Sequence, residues 1–162
     1  MTASPRLGPE LVGTTHPAVR ADVERGRLRA FAHATGETRA VYTDLAAARA
    51  GGHHDLPAPP TFVFALASTG GDDGFGWLVE LGVDLRHVLH GEQSFTYHNL
   101  THAGDVLSLE STLVDVYSKR GGALQFLVRE TTVHRVDAGG GDGGPVADMC
   151  MTLVVRDPGG AR

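Results

Sequence analysis

The chain has 162 residues, of which 41% are hydrophobic, with a formal net charge of -5 and a pI near 5.9. That length carries one domain with a real core, and the apolar share excludes disorder throughout. No block of like charges stands out, which argues against nucleic acid or an anionic membrane as the main partner.

No stretch approaches the ~18 consecutive apolar residues of a membrane-spanning helix. The start, MTASPRLGPELVG, lacks the charged-then-apolar pattern of a signal peptide, so a cytoplasmic protein is expected by default. The single cysteine, Cys150, forbids an intrachain disulfide and reads as a small buried hydrophobe within VADMCMTLVV.

In chain order, residues 1–10 are polar with Pro and Gly and read as a flexible arm. One folded domain is expected over 11–157, with a tail at 158–162. Residues 16–24 alternate weakly, as a short strand does. Leu28, Phe31, Ala32 and Thr35 then fall on one helical face, and Gly36 is placed to stop that helix. Residues 44–52 predict a second helix, with Asp44 as N-cap and Gly51–Gly52 as the end. Three prolines make HHDLPAPP a rigid loop.

The segment TFVFALAS (61–68) is nearly all apolar, so periodicity leaves helix or strand open; Pro60 suits a helical first turn. Residues 78–89 are ambiguous. Four long segments rich in β-branched and aromatic residues follow, at 92–99, 105–120, 123–137 and 145–156. Gly121–Gly122 predicts a tight hairpin and AGGGDGG (138–144) a looser one. Leu124, Phe126 and Val128 face one side of the third segment, Gln125 and Arg129 the other. The last segment reads as buried on both faces. One apolar helix before a long antiparallel sheet predicts an α+β hot-dog fold, in which the sheet wraps around a central buried helix.

Three blocks, FAHATGETRAVYTDLAAARAGG, LPAPPTFVFAL and LHGEQSFTYHNLTHAGDVLSLESTLVDV, resemble in content and order the MaoC-like hydratase/dehydratase family, in particular its N-terminal-domain branch. The resemblance implies a hot-dog fold working as a dimer. It implies reversible hydration of enoyl thioesters of coenzyme A or acyl carrier protein. No cofactor is expected, and the histidine spacing with no H-E-x-x-H and no Cys partner argues against a metal site. Catalytic members carry [ST]-G-D-x-N-P-x-H, whose Asp and His share the attacking water.

In this chain Thr35 and Gly36 match that motif, Glu37 stands at the Asp position, Tyr42 at the His position, and Arg39-Ala40 replace Asn-Pro. The carboxylate is one methylene longer. A phenol, with a reference pKa of ~10, replaces the imidazole. The departure resembles dehydratase heterodimers in which one hot dog carries the Asp/His pair and the other shapes the acyl channel. The chain therefore reads as that second kind of subunit, paired with a catalytic MaoC-like partner, or else as a homodimer. Two alternatives stay open: a self-sufficient hydratase with a variant Glu/Tyr site, and a module that binds acyl thioesters without turnover.

The candidate catalytic residues are Glu37 and Tyr42, with His90 as a further base. Each also has a plain structural role open to it: a solvated helix-end carboxylate, a packing phenol, a structural imidazole. The candidate substrate-binding residues are Pro60, Thr61, Phe62 and Phe64. Thr61 and Phe62 offer backbone N–H groups to a thioester oxygen at the start of the central helix, although prolines reduce the number of donors. Lys119 and Arg120, at a hairpin tip, could meet the phosphates of coenzyme A or an acidic carrier protein, or simply be solvated. Among nine histidines, His53–His54 are adjacent and His98 and His102 are four apart, without the helical spacing of a metal motif.

Overall fold

A computed structural model describes residues 5–69 and 74–156. Five antiparallel strands, β1 (Thr15–Asp22), β2 (Val88–Tyr97), β3 (Val106–Lys119), β4 (Leu124–Val136) and β5 (Asp142–Arg156), form one sheet in the order β1-β3-β4-β5-β2. Four helices precede β2: α1 (Arg25–Ala34), α2 (Leu45–Ala50), α3 (Phe62–Thr69) and α4 (Gly76–Glu80). The apolar segment left open between helix and strand is thus the helix α3. The fold is the α+β hot dog: Phe62, Val63 and Leu66 of α3 pack with Leu107, Leu109, Val133, Val146 and Met149 of the sheet. The ambiguous segment resolves into the end of α4, a 3-10 turn at Leu85–His87 and the start of β2.

Local chemistry sets the helix ends. Gly36 adopts φ +70, and α1 closes with Glu37 N–H donating to the Ala32 carbonyl and Gly36 N–H to that of His33. That paired closure needs a left-handed residue, which glycine supplies without steric penalty. Asp44 caps α2 by accepting from Ala47 N–H at 2.7 Å.

Several expectations meet corrections. Residues 5–7 of the expected arm are docked: Leu7 is buried, its N–H donates to Gln125 Oε1 at 2.6 Å, and Gln125 Nε2 donates to the Pro5 carbonyl. Residues 1–4 and the expected tail at 158–162 lie outside the described residues. The β3–β4 turn is a four-residue loop, because Lys119 pairs with Leu124 and Arg120, Gly121 and Gly122 all take positive φ.

The period-two reading of β4 holds, but the core face is the one that carries polar groups. Gln125, Leu127, Thr131 and Val133 are buried there, while Leu124, Phe126 and Val128 are half-buried on the outside. The same holds for β5. Met149, Met151, Leu153 and Val155 face the core, but Cys150, Thr152 and Val154 are only half-buried, so one face of this strand is partly open. Burial and neighbouring Glu130 and Glu92 push the Cys150 thiol pKa up.

Two apolar clusters share the concave face of the sheet. One is built on α1 and α3, the other on Trp77, Leu78, Val83 and the far ends of β3, β4 and β5. Between them Ser111 and Thr131 share a 2.8 Å hydrogen bond. No described helix is long and apolar enough to cross a membrane.

Candidate functional site

The segment from Thr35 to Pro60 arches from the end of α1 to the start of α3, and specific contacts fix its path. Arg25 grips Asp55 with two parallel hydrogen bonds, at 2.8 and 2.5 Å, and holds its carboxyl well below the usual carboxylate range. Arg29 Nε donates to the Thr43 carbonyl at 2.8 Å. Ala58 N–H donates to the Thr101 carbonyl and Ala103 N–H to that of Leu56, so the arch is stitched to the turn after β2.

On this arch Glu37 and Tyr42 come together, and a third residue joins them. Arg39 donates from Nε to Glu37 Oε1 at 3.0 Å, from Nη2 to Glu37 Oε2 at 2.6 Å, and from its own N–H to Oε1 at 2.9 Å. The guanidinium lies over the Tyr42 ring at 4.9 Å and reaches the Tyr42 hydroxyl at 3.4 Å. The Arg39 hydrogen bonds depress the Glu37 pKa from 4.5 to about 2. A carboxylate so stabilised has little driving force to take a proton from water near neutral pH.

Glu37 protonates more readily unfolded than folded, so its contribution to stability is present above about pH 4.5 and is lost as pH falls toward about 2. Arg39→Ala should return the Glu37 titration midpoint, followed by the side-chain carboxyl carbon in NMR, to the ordinary range near ~4.3. A midpoint still at about 2 in that variant would remove Arg39 as the cause.

Tyr42 also lines a cavity of ≈ 370 Å³ together with His53, Pro60, Tyr97, His98 and Leu100. That volume falls within the range of small-molecule sites. Most of the exposed lining is apolar, with imidazoles at its edges. His98 Nε2 lies 2.8 Å from Asp148, and His53 Nδ1 shares a 3.0 Å hydrogen bond with His102 Nε2. The His54 ring sits 4.3 Å from His102. Burial, then His54 and His53, lower the His102 pKa. Among the described residues no group of three or more His, Cys, Asp or Glu is arranged to hold a metal ion.

The other candidates separate. Pro60 lines the cavity, and Thr61 is exposed beside it. Phe62 is 2% exposed, its ring packs edge-on against Phe31 at 5.5 Å, and its N–H donates to the Pro59 carbonyl. Its amide is therefore engaged rather than offered to a thioester. Phe64 lies on another side of α3, against the His90 ring at 5.4 Å. His90 sits at the β2 bulge, 3.4 Å from Gln93, and is not part of the cavity lining that holds Tyr42. The sequence reading missed His53, Tyr97 and Leu100 as lining residues. Their only sequence signal is position, just before the central helix and just after the edge strand, because the stitching between 56–58 and 101–103 is non-local.

The fold and the altered motif define a dehydratase-type hot-dog domain. A model of the FAS1-like dehydratase domain region matches residues 10–147. A UPF0336 protein of Streptomyces griseus is 42% identical over 119 residues, covering 71% of this chain and 77% of that protein. A C-terminally truncated HadBC complex of Mycobacterium tuberculosis, a 3R-hydroxyacyl-ACP dehydratase, is similar with TM-score 0.70 at 23% identity, over 91% of this chain and 99% of that one. The unliganded R-hydratase PhaJ1 of Pseudomonas aeruginosa gives TM-score 0.65 at 18% identity, over 96% and 87%. At these identities the structural likenesses show the fold. The chain belongs to the family of FAS1-like dehydratase domain regions, and the MaoC-like resemblance of its three sequence blocks rests on that footing.

Proposed function

We propose that this chain is the acyl-channel subunit of an enoyl-thioester hydratase or 3-hydroxyacyl-thioester dehydratase, and that a MaoC-like partner supplies the Asp/His pair. The observation that carries this reading is the Arg39 fork on Glu37. The motif carboxylate is held ionised by two side-chain hydrogen bonds, and a phenol stands where the imidazole would be. The substrate is a thioester of coenzyme A or acyl carrier protein, whose acyl part enters the apolar cavity beside Tyr42 and Pro60.

Two features support a dimer. Strand β2 is an edge of the sheet, with a row of backbone groups to pair. Leu89, Tyr97 and Leu100, on or just beyond it, are 48%, 48% and 61% exposed. Large apolar side chains on an unpaired edge mark a surface for another protein. Co-expression with a MaoC-like protein carrying the intact Asp/His motif should yield a heterodimer that survives size-exclusion chromatography. Recovery of the two proteins only as separate homodimers would count against the subunit reading.

A further inference from the structure

Three imidazoles meet where the arch crosses the turn after β2. His53 and His54 follow the Gly51–Gly52 end of α2, and His102 lies in the turn, its backbone bridged to Pro57. His53 Nδ1 and His102 Nε2 share a 3.0 Å hydrogen bond, and the His54 ring tilts against that of His102 at 4.3 Å. A hydrogen bond between two ring nitrogens uses one proton and one lone pair. It survives while at least one ring is neutral, whereas two imidazolium ions at that separation repel.

The groups around the pair leave it no spare counter-charge. Asp105 favours a charged His102, but its carboxylate is already shared. It accepts from the His102 N–H at 2.9 Å and from the Thr101 hydroxyl at 2.8 Å, and it lies 3.1 Å from Arg135 Nε. Asp55, next to His54, is gripped by Arg25 and acted on by Arg49. Burial, His54, His53 and Arg135 all favour the neutral His102 ring. His102 therefore takes up its proton more readily in the unfolded chain. Its contribution to stability is complete above about pH 6.5 and is lost as pH falls below that value.

Position gives the cluster its consequence. His53 lines the same cavity as Tyr42, and Pro57 and Ala58, on the stitched part of the arch, form more of its wall. We propose that the His53–His102 pair, flanked by His54, is a pH-sensitive clasp on the arch. It is closed while the two rings share a proton. In mild acid both rings become charged, the His53 ring turns off His102, and the cavity wall beside Tyr42 is remodelled. The clasp acts on the cavity whatever the cavity binds, so it does not depend on the subunit reading.

The test is an NMR titration of the full chain from about pH 8 to about pH 5, the range in which histidine changes charge. It follows the histidine Cε1–H signals together with the Tyr42 ring and the Ala58 amide. His102 is expected to titrate below ~6.5, and the Tyr42 and Ala58 signals to move with the same midpoint. In His102→Asn, which keeps a hydrogen-bonding side chain without a titrating ring, those two movements should vanish. The loss of Tm on acidification across the same range should be smaller in that variant by about 2–4 °C. If His102→Asn does not fold, His53→Asn is read in its place. A His102 midpoint at or above ~6.5, or Tyr42 and Ala58 signals that stay fixed while His102 titrates, overturns the proposal. So does a response that the deciding variant leaves intact, which would assign it to His98 on the same cavity.

Discussion

Phe62→Ala is expected to destabilise the protein by about 3–5 kcal/mol, the usual cost of emptying a buried phenylalanine site. In a domain of this size that lowers Tm by roughly 6–20 °C. Phe62 is 2% exposed in the first turn of α3, inside the cluster that joins α1, α3 and the sheet, with its ring edge-on to Phe31. The cluster around it draws buried side chains from α1, α2, the arch and the four strands β1, β3, β4 and β5, so the site cannot collapse around alanine by moving one element. Circular dichroism melting measures this directly. A Tm change below about 2 °C would place Phe62 outside the core and return it to the substrate-binding residues.

Much of the fold was legible in the sequence because it is built from local rules. The Asp44 cap, the Gly36 stop and the four long β segments each act over a few residues, and each is found where periodicity and turn chemistry put it. What was not legible depends on pairing across the chain. The polar face of β4 looks like a solvent face in isolation. It is a core face because Gln125 holds the chain near Leu7 and Pro5, Thr131 meets Ser111, and Arg129 lies under Trp77.

The candidate site divides in the same way. The motif positions Glu37 and Tyr42 could be read from their spacing after Thr35-Gly36, and the structure brings them together. Arg39 stood in plain view as a replacement for Asn. Its role as the clamp on Glu37 required the turn that folds the side chain back over two residues. Phe62 looked like a donor of an oxyanion contact because it opens the central helix, but the preceding Pro59 carbonyl takes its N–H.

The largest functional effect expected is the dependence of turnover on a partner. General acid–base catalysis supplies roughly 10²–10⁴-fold, and it requires a group whose proton affinity suits the operating pH. A Glu37 carboxyl with a pKa of about 2, already accepting three hydrogen bonds from Arg39, lacks that affinity. On the proposed subunit role, the base for the shared water comes from the partner, and the cavity beside Tyr42 is this chain's contribution.

The most direct measurement is the loss of enoyl-thioester absorbance with crotonyl-coenzyme A and a longer enoyl analogue, for the chain alone and for its complex with a catalytic MaoC-like partner. The account predicts background rates for the chain alone, turnover for the complex, and the same turnover when the complex carries Glu37→Gln. Turnover by the chain alone that disappears in Glu37→Gln would contradict it and make the Glu37–Tyr42 arch a working active site.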